Sequence, residues 1–164
     1  MRRKSSYRVV DVVPRTIVVH CLDSRFKLAH DRFIKEELGL GTFDFMAIQI
    51  AGGAGVLAHQ KEMVNCFWSV TGQLDYFTKH LDIDRIILIS HQDCGRYKQL
   101  KTAGQARDDA ERQDLTKALE IVSRAYHAKV YAYYASFSND GEIVFENVQP
   151  SPAKPAEIPQ LVCA

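Results

Sequence analysis

The sequence predicts an α/β fold, with a mostly parallel central sheet of four parallel strands plus a C-terminal antiparallel hairpin strand, flanked by helices. Three features of the chain point there. Short apolar runs alternate with amphipathic helical stretches. The run at 85–90 (R-I-I-L-I-S) shows no polar alternation, as expected of a strand buried on both faces of a parallel sheet. Near the end, Asn139-Asp140-Gly141 separates two β-rich runs, which marks a hairpin.

Each element has its own signal. Residues 1–14 are basic, then β-branched, and end at Pro14; they read as an arm. Residues 16–21 (T-I-V-V-H-C) form the first strand. A helix is expected over 26–38, where Ala29 and Phe33, and Ile34 and Leu38, stand four apart, and Gly39 supplies the stop. Residues 44–50 form the second strand and run into Ala51-Gly52-Gly53-Ala54-Gly55. That glycine run lacks the Lys-Ser/Thr ending of a phosphate loop, so it reads as a tight strand-to-helix turn. Met63, Phe67, Val70, Leu74 and Phe77 alternate steps of four and three on one long helix. A polar stretch at 101–114 precedes another helix, whose inner face is Leu115, Ala118, Leu119, Val122 and Tyr126. Residues 130–135 are the fourth strand and 143–148 its hairpin partner. The tail at 149–164 holds four of the five prolines. The whole is expected to be one domain, 1–164, with its core at 15–148.

Composition narrows the classes of function. The chain has 164 residues, and its 21 basic side chains nearly match its 20 acidic ones, so no basic excess marks a nucleic-acid binder. No apolar run approaches the roughly 20 residues that span a bilayer. No apolar signal core precedes Pro14, so the expected compartment is the cytoplasm. The four cysteines, at 21, 66, 94 and 163, are too sparse for a disulfide scaffold and are expected as free thiols, metal ligands or nucleophiles.

Two clusters stand where such a fold builds its sites, at the carboxyl ends of strands. One is Cys21-Leu22-Asp23-Ser24-Arg25, at the end of the first strand. The other is His91-Gln92-Asp93-Cys94-Gly95, after the third. His91 and Cys94 are three apart on one turn and can reach a single ion, and Cys21 would meet them if the two strands are neighbours. Two thiolates and an imidazole suit Zn2+, and three protein ligands leave a fourth position open, as in catalytic zinc sites. The competing reading makes Cys21 a nucleophile. A phosphatase loop needs Arg six residues on, where Lys27 stands; a rhodanese-type loop needs it five on, where Phe26 stands.

C-L-D-S-R followed by H-Q-D-C-G resembles the signature of the β-class carbonic anhydrases, C-x-D-S-R and H-x-x-C-G. The resemblance runs from about 16 to 148 and takes in the Ala-Gly-Gly turn at 51–53. It implies a zinc lyase (carbonate dehydratase) that hydrates CO2 reversibly to bicarbonate and a proton through zinc-bound hydroxide. It implies Cys21, His91 and Cys94 as zinc ligands, Asp23 and Arg25 as a catalytic dyad, and a homodimer or higher homo-oligomer. Gly52, Gly53 and Gly95 would border the substrate pocket, with Gly95 keeping the backbone close to the metal. There are departures from the family pattern. Seventy positions separate Cys21 from His91, more than is usual, and Gln49-Ile50 stands where the family often has Arg-Asn. The same scaffold could instead hydrolyse COS or CS2, or hold zinc without turnover.

Other side chains are expected to be structural. His20 points to the face opposite Cys21 by strand alternation and reads as packed or hydrogen-bonded. His30, His59, His80 and His127 read as solvated, Cys66 as core, Cys163 as a free tail thiol, and Asp93 as a cap on the next helix. Arg96, Tyr97 and Lys98 read as lining the mouth of the site or facing solvent.

Overall fold

The computed structural model describes residues 9–100 and 105–149. Five strands, β1 (Thr16–His20), β2 (Phe45–Gln49), β3 (Arg85–His91), β4 (Lys129–Phe137) and β5 (Ile143–Val148), form one sheet in the order β2-β1-β3-β4-β5. β1 pairs in parallel with both β2 and β3, β3 pairs in parallel with β4, and β5 returns antiparallel to β4. The parallel crossovers carry the helices α1 (Lys27–Arg32), α2 (Val64–His80) and α3 (Gln105–Ala125). This is the fold class that the alternation of elements predicts.

Strand alternation sorts the core onto two faces. Ile17 and Val19 of β1 and Ile86 and Leu88 of β3 pack with Met63, Val70 and Leu74 of the long-helix stripe and with Leu115, Ala118, Leu119 and Val122 of α3. On the opposite face Val18, Ile87 and Ile89 meet Ile34 and Leu40, with Phe33 and Phe145 against them. All but the first residue of β3 is buried, as its unbroken apolar run requires.

Two elements differ from expectation. The helix read over 26–38 is α1 followed by a π-helical segment, Phe33–Glu37, in which the Leu38 N–H reaches back five residues to the Phe33 carbonyl at 3.0 Å. It ends at Gly39, whose φ of +66° suits a residue without a Cβ. α3 begins at Gln105, inside the stretch read as a polar connection. Its first turns face a polar loop instead of the apolar core, so hydrophobic periodicity is silent there. Val9, Val10, Val12 and Val13 of the arm are exposed. The arm's basic start, the proline-rich tail and Cys163 lie outside the described residues. Among those described, no helix is long and apolar enough to cross a membrane.

The order β2-β1-β3 places the topological switch point between β1 and β3, because the crossovers to β2 and β3 leave on opposite sides of β1. The carboxyl ends of those two strands carry Cys21 and His91.

Candidate metal centre

Cys21 directly follows β1, His91 ends β3, and Cys94 lies one turn beyond it. Their ligand atoms, all buried, lie within 4.8 Å of one another. The two sulfurs are 3.9 Å apart. Tetrahedral zinc with Zn–S bonds of about 2.3 Å would set them about 3.8 Å apart. His91 Nδ1–H donates to the Gln92 carbonyl at 2.9 Å, and its Nε2 is buried with no hydrogen-bond partner. A buried imidazole nitrogen beside two buried sulfurs is a donor set that a bound cation satisfies. The donor set therefore fits a zinc ion.

The surroundings favour a thiolate at Cys21 and oppose a second one at Cys94. Cys94 Sγ–H, acting on Cys21 against its burial, leads the effects that hold the Cys21 thiol far below its ordinary range. His91 and the Gly52 amide add to that effect. Cys94, the second of the pair to ionise, is pushed up by Cys21 and by burial, while the Arg96 amide opposes. Burial lowers His91, but the Cys21 sulfur outweighs it and leaves the imidazole raised.

Asp23 and Arg25 form a two-pronged pair. Arg25 Nη2 lies 2.8 Å from Asp23 Oδ2, Nε lies 3.1 Å from Oδ1, and the Arg25 backbone N–H also donates to Oδ1 at 3.0 Å. The guanidinium holds the Asp23 carboxyl at about 2. Asp23 Oδ2 stands 4.0 Å from His91 Nε2, on the rim of the ligand cluster. Arg25 is gripped from its other side by Asp93, through Oδ2 at 3.1 Å and the main-chain carbonyl at 2.9 Å.

Asp93 is thus not the expected helix cap. Its φ of +54° is unusual for a residue with a Cβ, and its carboxylate serves Arg25 and Arg107. The glycines also divide differently from expectation. A Cβ at Gly53 would lie 2.8 Å from the Ile89 carbonyl and 3.5 Å from Cys21 Cβ, and one at Gly52 would lie 2.6 Å from Val56 Cγ1. At Gly95, which is exposed, a Cβ would meet nothing within 4 Å. Close approach to Cys21 falls to Gly53 and to the Gly52 amide, not to Gly95, because Gly95 turns outward after Cys94.

The remaining histidines split. His20 is buried as expected, with Nδ1–H donating to the Cys21 carbonyl and Nε2 facing the Gln49 amide at 3.3 Å. His80 and His127 are exposed. His30 is not solvated: it is wholly buried between Phe26 and Phe145, and burial lowers it to about 3. Its spacing held the signal, since His30 stands four residues from both Phe26 and Ile34 on one helix face. His59 is also largely covered and pairs with Asp114 at 2.5 Å. Cys66 is half-buried against the core, Tyr97 is buried, and Lys98 faces solvent. Phe26, which carries no polar chemistry, packs against the His91 ring at 4.1 Å between centroids, tilted by 33°.

Fold and site together define an α/β protein with a Cys-His-Cys cluster able to hold a metal ion at its switch point. A family model described as carbonic anhydrase matches residues 16–151. The chain belongs to that family, in its β class. A relative from Rickettsia bellii, described only as an uncharacterized protein, is 25% identical over 139 residues, covering 80% of this chain and 82% of its own. The chain is similar in fold to a tetrameric β-carbonic anhydrase of Sordaria macrospora, with a TM-score of 0.50 at 14% identity over 82% of this chain and 81% of that one. It is similar also to the β-carbonic anhydrase CafA of Aspergillus fumigatus, with a TM-score of 0.50 at 12% identity over 84% and 77%.

Proposed function

We propose that this protein hydrates CO2 reversibly to bicarbonate and a proton, with zinc held by Cys21, His91 and Cys94. The observation that carries this reading is the buried Cys21-His91-Cys94 cluster, whose ligand atoms lie within 4.8 Å of one another, with His91 Nε2 4.0 Å from the ionised Asp23 carboxylate. Zinc at those ligands would acidify a water and so supply the nucleophile near neutral pH.

The chain's own residues do the rest. Asp23 is ionised at any working pH, so it acts only as a hydrogen-bond acceptor and orients an O–H placed beside the ligand cluster. Arg25 fixes that carboxylate with its fork, and Asp93 fixes Arg25, so the acceptor is pre-aimed. Gly53 keeps the turn against Cys21, which leaves no room for a side chain between the turn and that residue. We read the assembly as a homodimer or larger homo-oligomer. Val9, Leu28 and Phe43 are apolar and 94%, 63% and 54% exposed in the single chain, and the S. macrospora enzyme is tetrameric. The cytoplasm is the proposed compartment, in keeping with Cys21, Cys66 and Cys94 as free thiols.

The Asp23→Ala variant tests the assignment of roles. It should retain stoichiometric zinc and lose most of its CO2 hydration. Full activity in that variant would remove Asp23 from the mechanism.

A further inference from the structure

The loop that carries two of the ligands is held residue by residue by one stripe of α3. Gln92 Nε2 donates to Asp108 Oδ2 at 2.8 Å. Arg107 Nη1 donates to Asp93 Oδ1. The Cys94 backbone N–H donates to Glu111 Oε1 at 3.0 Å. Asp108, Glu111, Leu115, Ala118 and Val122 follow one another at steps of three and four, so they share a face. The last three are core; the first two are the polar continuation of the same face, turned onto the ligand loop.

Glu111 is the pivot of this arrangement. It is fully buried, and each carboxylate oxygen has a donor from a different element. Oε1 takes the Cys94 amide, and Oε2 takes the Tyr134 hydroxyl of β4 at 2.9 Å. The Tyr134 ring in turn lies 4.1 Å from the Arg112 guanidinium, which steadies it. A buried carboxyl is expensive next to an apolar residue of the same size, so packing alone would place leucine at this point. What leucine could not do is hold the Cys94 amide. The other polar groups of Cys94 are also engaged: its carbonyl accepts the Tyr97 N–H at 3.0 Å, and its sulfur faces the Arg96 amide.

We infer that Glu111 is a positioning residue of the metal centre. It anchors Cys94 through its main chain and so sets the Cys94 sulfur against Cys21, while Arg107 and Asp108 fix the two loop residues before it. Through Asp93 the same clamp reaches Arg25 and the carboxylate of Asp23. The inference rests on Cys21, His91 and Cys94 as metal ligands and is independent of CO2 turnover.

Zinc affinity, measured by competition with a chromophoric chelator, tests it. The absorption of the Co2+-substituted protein gives the second readout, through its thiolate charge-transfer and d–d bands. Glu111→Gln keeps an oxygen for the Cys94 amide and should bind zinc within a few-fold of the parent, with unchanged cobalt bands. Glu111→Leu should lose about 10–100-fold in zinc affinity and show altered bands. A residue that merely supported folding would lower the melting temperature and leave both readouts alone. Unchanged affinity and spectrum in Glu111→Leu would overturn the inference, as would a Glu111→Gln variant as impaired as Glu111→Leu. If the leucine variant does not fold, Glu111→Asp decides in its place: it is one methylene too short to reach both donors, and parental affinity there would overturn the inference. Parent protein that binds zinc but does not hydrate CO2 would defeat the proposed function and leave this clamp standing. Parent protein that binds no zinc would defeat both.

Discussion

Gly53→Ala separates backbone strain from crowding at Cys21, a proposed metal ligand. Gly53 has a φ of +59° and Gly39 a φ of +66°, so alanine is strained at both. That strain costs roughly 1–2 kcal/mol at each. At Gly39 the added methyl meets nothing within 4 Å, so the cost ends there. At Gly53 it would lie 2.8 Å from the Ile89 carbonyl and 3.3 Å from the Cys21 amide, both of them backbone atoms of adjacent strand ends that cannot rotate away. Overpacking of that kind adds about 1–3 kcal/mol, for a total of about 2–5 kcal/mol. The assay is urea unfolding of the two variants and the parent, followed by zinc competition. Gly53→Ala should be less stable than Gly39→Ala by about 1–3 kcal/mol and should also bind zinc more weakly, because relief of the overlap shifts Cys21. Equal destabilisation of the two variants, with zinc affinity intact in both, would refute the claim that the glycine turn packs on the ligand.

Phe26, packed against His91, and the His59–Asp114 pair carry further expectations. Phe26→Ala removes a fully buried ring packed against His91 and should cost about 3–5 kcal/mol in unfolding free energy, together with weaker zinc binding; a loss below 1 kcal/mol would contradict the packing described. The His59–Asp114 pair should give stability a definite pH dependence. Asp114 raises His59 above 6.5, so the stability His59 contributes is complete below that value and is lost as pH climbs through its folded value. Burial pushes Asp114 up, but His59 and Lys117 outweigh it and hold it below 3.8, so its contribution is present above 3.8 and fades as pH falls through the folded value. The pair therefore supports the fold most between those limits. A melting-temperature series should show an alkaline decline that His59→Asn flattens; the same decline in the variant would assign it to another group.

Most of the architecture was legible because strands and helices carry different periods. The unbroken apolar run of β3 announced a central parallel strand, and the stripe from Met63 to Phe77 announced α2. The Cys21-His91-Cys94 cluster was legible for a topological reason. Cys21 and His91 close two buried strands, and a parallel sheet brings such ends together whenever the strands are neighbours. What stayed hidden depends on contacts distant in sequence. Glu111 looked like one more acid in a polar stretch, because only the folded chain shows that the ligand loop covers it. Extending the steps of Leu115, Ala118 and Val122 backward would have reached Glu111 and Asp108. His59 and Asp114 are 55 positions apart, and nothing local links them. The πhelical widening at Phe33–Glu37 left no mark in the spacing of apolar residues, since Ile34 and Leu40 are buried and Leu38 packs against them.

If Cys21, His91 and Cys94 hold a catalytic zinc, stopped-flow CO2 hydration will show it. The protein should carry verified stoichiometric zinc, and the assay should run at about pH 8.5, since two thiolate ligands leave a zinc water less acidic than three histidines do. A rate well above buffer, abolished by Cys94→Ser, is the expected result. Buffer-level rates from fully zinc-loaded protein would contradict it.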